Sequence, residues 1–398
     1  MGIFNIERFL NISDYLLTDV KGLMTFLAAN FLLTLICTNL GISFYVKNKL
    51  YISSLINIIG YVLRGGLLLL LYMNFEPHVA YMGMVTLIVT IFTQLSNLRF
   101  KKKLVPELSL QKRMFSWGKV KNLIGSGIWN TITRIGSLLQ EGLDLLITNV
   151  MISAADMGVL AIAKTIPNLI NNVLNTLISS FMPNLTELFA KGDKEGLKKD
   201  IKQSMKIIGM LINIPIAVLI GFGDVLFSLW FPTQDANLLQ ILSILTIFPW
   251  AIMGQATIIH NIFTVVNKIK VNSILVCITG LLNVLVVFVL LKTTSLGLFA
   301  VAGVSSIMSI LRNVIYTVPF GAIYIGCPWY TFFPEIVKAT VSVALLGTIS
   351  YVLKLFIPGI SWIWLIIFAV AAVIIGLLFN FYLVLNKDDR KFIFTKII

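Results

Sequence analysis

Eleven apolar stretches, each close to the length of a bilayer crossing, run through this chain from residue 22 to residue 385. They lie at 22–46, 51–73, 79–98, 124–150, 156–181, 205–231, 238–264, 271–291, 296–322, 334–357 and 361–385. About 30 Å of hydrocarbon requires about 20 residues of helix, and in lipid only helices or closed barrels satisfy every backbone group. With 58 % hydrophobic and 12 % charged residues among 398, the chain carries more apolar surface than a water-soluble fold can hide. The reading is an all-α polytopic membrane protein.

The charge balance is 31 Lys and Arg against 17 Asp and Glu, a net +14. On a water-soluble domain that excess would suggest nucleic acid. Here the basic residues occupy alternate loops, so no nucleic-acid partner is expected. Lys47, Lys49, the cluster from Arg99 to Lys121, the lysines from Lys191 to Lys206, Lys268, Lys270, Lys338 and the tail from Lys387 to Lys396 fall on one side. The other side has only Lys292 and Lys354 between spans. The positive-inside rule makes the basic side cytoplasmic, with the C-terminus inside and, for an odd number of spans, the N-terminus outside. Residues 1–21 carry Glu7, Arg8, Asp14 and Asp19 and lack the apolar core of a signal peptide. Cys37, Cys277 and Cys327 have no metal or disulfide spacing, and His78 and His260 stand alone. No metal or cofactor is expected.

Shifting the chain by 220 residues lays the first three spans on the seventh to ninth. Val46, Ser53, Leu55, Ile58, Gly60, Leu70, Leu71, Ala80 and Gly83 fall without a gap on Val266, Ser273, Leu275, Ile278, Gly280, Leu290, Leu291, Ala300 and Gly303. A six-span shift preserves topology, the mark of parallel repeats in two-lobed transporters. The complete design is expected to be six plus six plus two, fourteen helices, of which this chain would hold the last eleven. The expected divisions are 1–98, three helices of an N-terminal lobe; 99–123, an amphipathic cytoplasmic linker; 124–322, a six-helix C-terminal lobe; and 323–398, two extra helices and a cytoplasmic tail. In the linker Met114, Phe115 and Trp117 stand among basic residues, and at 191–206 Leu197, Ile201 and Met205 share a face beside Lys198, Lys199, Lys202 and Lys206. Both segments are expected to lie on the cytoplasmic leaflet, lysines toward anionic membrane lipid.

Charges inside spans are costly and normally face a bundle interior or a watery cavity. In the fourth span Arg134, Ser137, Glu141, Asp144 and Thr148 recur at helical spacing, and in the fifth Lys164, Asn168, Asn171, Asn175 and Ser179 do the same. An antiparallel hairpin brings the stripes together, with Lys164 expected to pair with Asp144 or Glu141. The bland reading is a structural ion pair that sets helix packing. The functional reading is a translocation cavity, with Arg64 in the second span as a separate member. Arg312, near the cytoplasmic end of its span, is a secondary candidate that could simply snorkel. Pro167, Pro183, Pro215, Pro249 and Pro319 mark expected kinks or span ends. No phosphate-binding GxxxxGK[ST] occurs, so the chain reads as a secondary transporter, its buried cations suggesting an anionic substrate such as pyrophosphate or an acidic sugar.

The stretch RIGSLLQEGLDLLITNVMISAADMGVLAIAKTIPNLI resembles the opening of the second lobe in Wzx-type polysaccharide repeat-unit flippases of the multidrug/oligosaccharidyl-lipid/polysaccharide exporter superfamily. Asp144 matches the usual acidic position and Gly158 the usual Gly, while Leu160 stands where Tyr is common. The resemblance implies a MATE-like fold in a bacterial plasma membrane and transport of undecaprenyl-diphosphate-linked oligosaccharide for surface polysaccharide assembly. It implies that Arg134, Lys164 and Arg64 neutralise the diphosphate or acidic sugars, with Glu141 and Asp144 pairing with them or exchanging protons. H+ or Na+ coupling, and partnership with the polymerase and glycosyltransferases of the pathway, belong to the same expectation. The alternatives are a cation-coupled multidrug antiporter and a membrane-embedded polysaccharide polymerase or acyltransferase. The last would need catalytic groups on a sizeable outer loop, and the outer loops between spans are short.

Overall fold

The computed structural model describes residue 7 and residues 10–12, 14–47, 49–106 and 116–383. Among these residues every regular element is helical. The chain divides into two compact units, Met1–Val120 and Lys121–Ile398. The tail lysines and the segment 107–115, with Met114 and Phe115 of the expected linker, lie outside the described residues.

The first unit holds α1 (Leu17–Cys37), α2 (Leu50–Asn74) and α3 (Ala80–Leu104). α1 runs along α3, and Gly83 lets them meet: a Cβ there would stand 3.0 Å from the Leu23 carbonyl oxygen and from Phe26 Cβ. Asp19 ties the start of α1 to the loop before α3, accepting from the Val79 N–H at 3.2 Å and lying 3.0 Å from His78 Nδ1. Arg64 is exposed on α2.

From Lys121 on, the second unit holds most of α4 (Trp117–Ser137), a π-helical turn at Leu138–Gly142, and α5 (Asp144–Met151). Then come α6 (Ala154–Ala163), α7 (Thr165–Ala190), α8 (Lys194–Trp230) and α9 (Ala236–Met253). A 3-10 turn at Gly254–Ile258 leads to α10 (Ile259–Val265), followed by α11 (Ile269–Thr293) and α12 (Leu298–Arg312). A second π-helical turn at Asn313–Thr317 joins α12 to α13 (Val318–Tyr324), and α14 (Phe333–Lys354) and α15 (Trp362–Leu383) close the unit.

Among the described residues nine helices are long and apolar enough to cross a membrane, ten if the bent pair α6 and α7 is one span. Of the eleven stretches visible in the sequence, only the fourth is outside that set; it is helical but broken, and holds Arg134, Glu141 and Asp144. α2 and α11 are the helices that the 220-residue shift lays on each other to within one residue. α2 and α11 each have 25 residues, and each stops on an extended residue, Phe75 at φ −132°, ψ 160° and Thr294 at φ −133°, ψ 163°.

One expectation fails in the second unit. Residues 194–206 are no separate helix lying on lipid; they are the first turns of α8, a single helix of 37 residues. At about 1.5 Å per residue α8 is roughly 55 Å long, so it outruns the hydrocarbon and carries its basic end beyond it. Leu197, Ile201 and Met205 are 3 %, 0 % and 0 % exposed, packed in the same core as Leu185, Ile262, Ala322 and Phe332. Their apolar face is covered by protein, since residues 191–193 turn α7 directly into α8 and hold the two helices side by side.

Candidate functional site

Two proline-freed carbonyls shape the middle of the second unit. Proline has no N–H to give the carbonyl four residues before it. Pro167 therefore leaves the Ala163 oxygen open, and Ser243 of α9 donates its hydroxyl to it at 2.6 Å. Pro249 leaves the Leu245 oxygen open, and the Ser306 hydroxyl of α12 donates to that one. Within lipid such groups must be satisfied from neighbouring helices, and here both are. The break between α6 and α7 falls at Lys164, where the helices bend by 45°. Pro167 sits in the first turn of α7, where a missing N–H is cheapest.

At this bend Lys164 turns into the bundle. Its Nζ donates to Asp144 Oδ2 at 2.5 Å and to the Glu141 carbonyl oxygen at 3.4 Å. The other Asp144 oxygen accepts from the Ser305 hydroxyl at 3.1 Å. Of the two partners left open by the sequence, the carboxylate that Lys164 takes is Asp144. Both groups are buried, Asp144 at 2 % and Lys164 at 8 % exposure, and with Asn168 they line a small cavity of about 50 Å³.

The polar stripe of the fourth span does not stay on one face. The π-helical turn at Leu138–Gly142 adds a residue to the helical repeat and rotates the helix beyond it. Arg134, Ser137 and Glu141 border a larger cavity of about 420 Å³, while Asp144 belongs to the small one. Thr148 is fully buried, its hydroxyl donating to the Asp144 carbonyl at 2.8 Å. The facing stripe divides likewise, Asn171 and Asn175 to the large cavity and Lys164 and Asn168 to the small. Glu141 borders both.

Arg312 does not snorkel. It points to the π turn across the bundle, donating from Nη1 to Gln140 Oε1 at 2.6 Å, and borders the large cavity. Gln140 is 1 % exposed, and its carbonyl accepts from Asn283 of α11 at 3.0 Å. α4 and α11 approach this closely because Gly136 and Gly280 face each other; a Cβ on Gly136 would stand 2.6 Å from the Cys277 nitrogen. Nothing in the sequence pattern singles out Gln140, His260, Asn272 and Ser305 as members of the site. Only Gln140, next to Glu141, carries a hint, as a polar residue inside an apolar span. Arg64 belongs to the first unit, exposed on α2.

The large cavity is thus a polar chamber walled by membrane-spanning helices, with two arginines and one glutamate among its charged groups. The fold resembles a solved structure, the lipid II flippase MurJ in an inward closed conformation, with a TM-score of 0.63 over 95 % of this chain and 78 % of that one, at 14 % identity. In sequence the chain is 26 % identical to the uncharacterized membrane protein EpsK of Bacillus subtilis (strain 168), over 99 % of this chain and 78 % of the relative. The family described as polysaccharide biosynthesis protein matches residues 21–234, more than half of the chain. This chain is a membrane-spanning member of the polysaccharide biosynthesis protein family.

Proposed function

We propose that the chain is a secondary transporter that flips undecaprenyl-diphosphate-linked oligosaccharide across the bacterial plasma membrane for surface polysaccharide assembly. The observation that carries this reading is the arginine-bearing polar chamber of about 420 Å³ inside membrane helices, in a fold shared with a lipid II flippase. Such a chamber replaces water around a hydrophilic headgroup while the polyprenyl tail stays in lipid. Arg134 and Arg312 meet its negative charge. Lys164 and Asp144 neutralise each other beside the chamber and set the bend of α6 against α7. The basic loops face the cytoplasm, where the substrate is loaded. The breaks at Lys164, at both π-helical turns and at the 3-10 turn give four places where the helices can re-angle between inward and outward states.

The test is translocation. Full-length protein in proteoliposomes, given a fluorescent lipid-linked oligosaccharide on one side, should expose the glycan to an impermeant lectin on the other. It should also restore surface polysaccharide in a strain lacking its repeat-unit flippase. Arg134→Gln with Arg312→Gln should slow both. Drug export with no lipid-linked oligosaccharide translocation would favour the multidrug antiporter reading instead.

A further inference from the structure

Position 140 holds a glutamine where the local structure favours a glutamate. Gln140 Oε1 accepts from Arg312 Nη1 at 2.6 Å, but Gln140 Nε2 has no hydrogen-bond partner, and neither has Arg312 Nε. Both of these unpaired groups are donors shut inside protein, and each carries the desolvation cost of a hydrogen bond left unmade. A carboxylate of nearly the same shape would remove the first donor and offer Arg312 a second oxygen. The guanidinium fork takes a carboxylate through two parallel hydrogen bonds, about twice as strong as neutral ones. On packing and pairing alone, the amide is the weaker choice.

What the amide keeps is charge. A glutamate would form a buried ion pair with Arg312 and cancel it, whereas a glutamine holds the guanidinium in place and leaves it positive. Among the described residues Arg312 enters no ion pair. With Nη1 spent on Gln140 and Nε shut in, Nη2 is the nitrogen left to the chamber that Arg312 borders. Gln140 is itself held firmly. It is 1 % exposed, lies within the π-helical turn, and its carbonyl accepts from Asn283. Lys164 gives the contrast, a cation in the same bundle whose acceptor is the carboxylate of Asp144 and whose charge is thereby spent.

We propose that Gln140 is a positioning residue, a neutral acceptor that aims Arg312 at the chamber and leaves its charge for the negative group of the substrate. Stability is given up at position 140 so that the arginine stays uncompensated. The inference rests on the flippase reading for its substrate, and it adds a residue that acts on that substrate only through Arg312.

Gln140→Glu separates stability from function. In detergent the variant should melt at or above the temperature of the unaltered protein. In proteoliposomes given a fluorescent undecaprenyl-diphosphate-linked disaccharide, its half-saturating concentration should rise about tenfold, the worth of a charge-assisted hydrogen bond. The maximal rate should change far less. Arg312→Gln should raise the half-saturating concentration by a similar factor, because both changes remove the same charge. An unchanged half-saturating concentration in Gln140→Glu would overturn the proposal. So would a lower melting temperature, since a purely structural glutamine loses stability and transport together. If the unaltered chain translocates nothing, the flippase reading falls, and titration of inorganic pyrophosphate onto the full chain in nanodiscs decides on Gln140 alone. Weaker binding of pyrophosphate by Gln140→Glu than by the unaltered protein upholds its role. Equal binding, or none by either protein, overturns it.

Discussion

Asp144 and Lys164 show how much a single pair inside a membrane bundle is asked to hold. Each is buried, and each is satisfied beyond its partner, Asp144 by Ser305 and Lys164 by the Glu141 carbonyl. Removing one member of such a pair strands the other charge, at a cost of about 3–5 kcal/mol. Asp144→Lys or Lys164→Asp alone should therefore abolish folded protein, measured as the monodisperse fraction in detergent. The double reversal should recover part of it, because the Ser305 hydroxyl can accept as well as donate. No recovery at all would count against the pair as the main coupling between α5 and the α6–α7 bend. A second residue-scale prediction concerns Ser306. Ser306→Ala leaves the Leu245 carbonyl unbonded and should lower stability by about 1 kcal/mol. Adding Pro249→Ala supplies the missing N–H and should restore the melting temperature, an outcome that a purely steric role of Ser306 would not give.

At the scale of elements, the crossing of α4 on α11 depends on two glycines. A side chain on Gly136 meets the backbone of α11 at Val276 and Cys277, and one on Gly280 meets the Gly136 carbonyl. Gly136→Val or Gly280→Val should push the helices apart, detach Asn283 from the π turn and release Gln140 from Arg312. The expected readout is a drop in melting temperature together with slowed translocation of lipid-linked oligosaccharide. Gly125→Ala, one helix position with nothing within 4 Å, is the control and should be neutral or stabilising. This level also shows where sequence reading stops. The spacing of Arg134, Glu141 and Asp144 reads as one continuous stripe because an unbroken helix is the natural assumption for residues three and four apart. The π turn that divides the stripe has no sequence signature; within it Gln140 accepts hydrogen bonds from Asn283 and Arg312, residues distant in the chain. The face at Leu197, Ile201 and Met205 is legible in the sequence as apolar. Whether lipid or protein covers it is not, because both are equally dry.

For the whole second unit, the two cavities should behave differently toward water. With Cys37, Cys277 and Cys327 replaced by serine or alanine, a charged thiol reagent should modify Asn175→Cys, which stands exposed at the large chamber. Ser305→Cys, 7 % exposed beside the Asp144 and Lys164 pair, should stay unmodified. Equal labelling would mean that the small cavity opens as readily as the large one.

Composition, span length and the alternation of basic loops are enough to establish the class of this protein: a helical chain dissolved in lipid. Hydrophobic length is a local property, additive along the chain, so it survives without any knowledge of neighbours. The buried charges can likewise be found, since a bilayer tolerates few of them. Which charges are spent on each other is a matter of tertiary structure. By its place in the sequence Arg312 could snorkel or join the cavity, and the fold closes it on Gln140, 172 residues earlier in the chain. Spacing puts Lys164 within reach of both Asp144 and Glu141, and the fold decides that Asp144 is its counter-ion. The net charge of a cavity depends on which groups converge on it and which are already paired, and that is set by helix rotation and bend rather than by spacing along the chain.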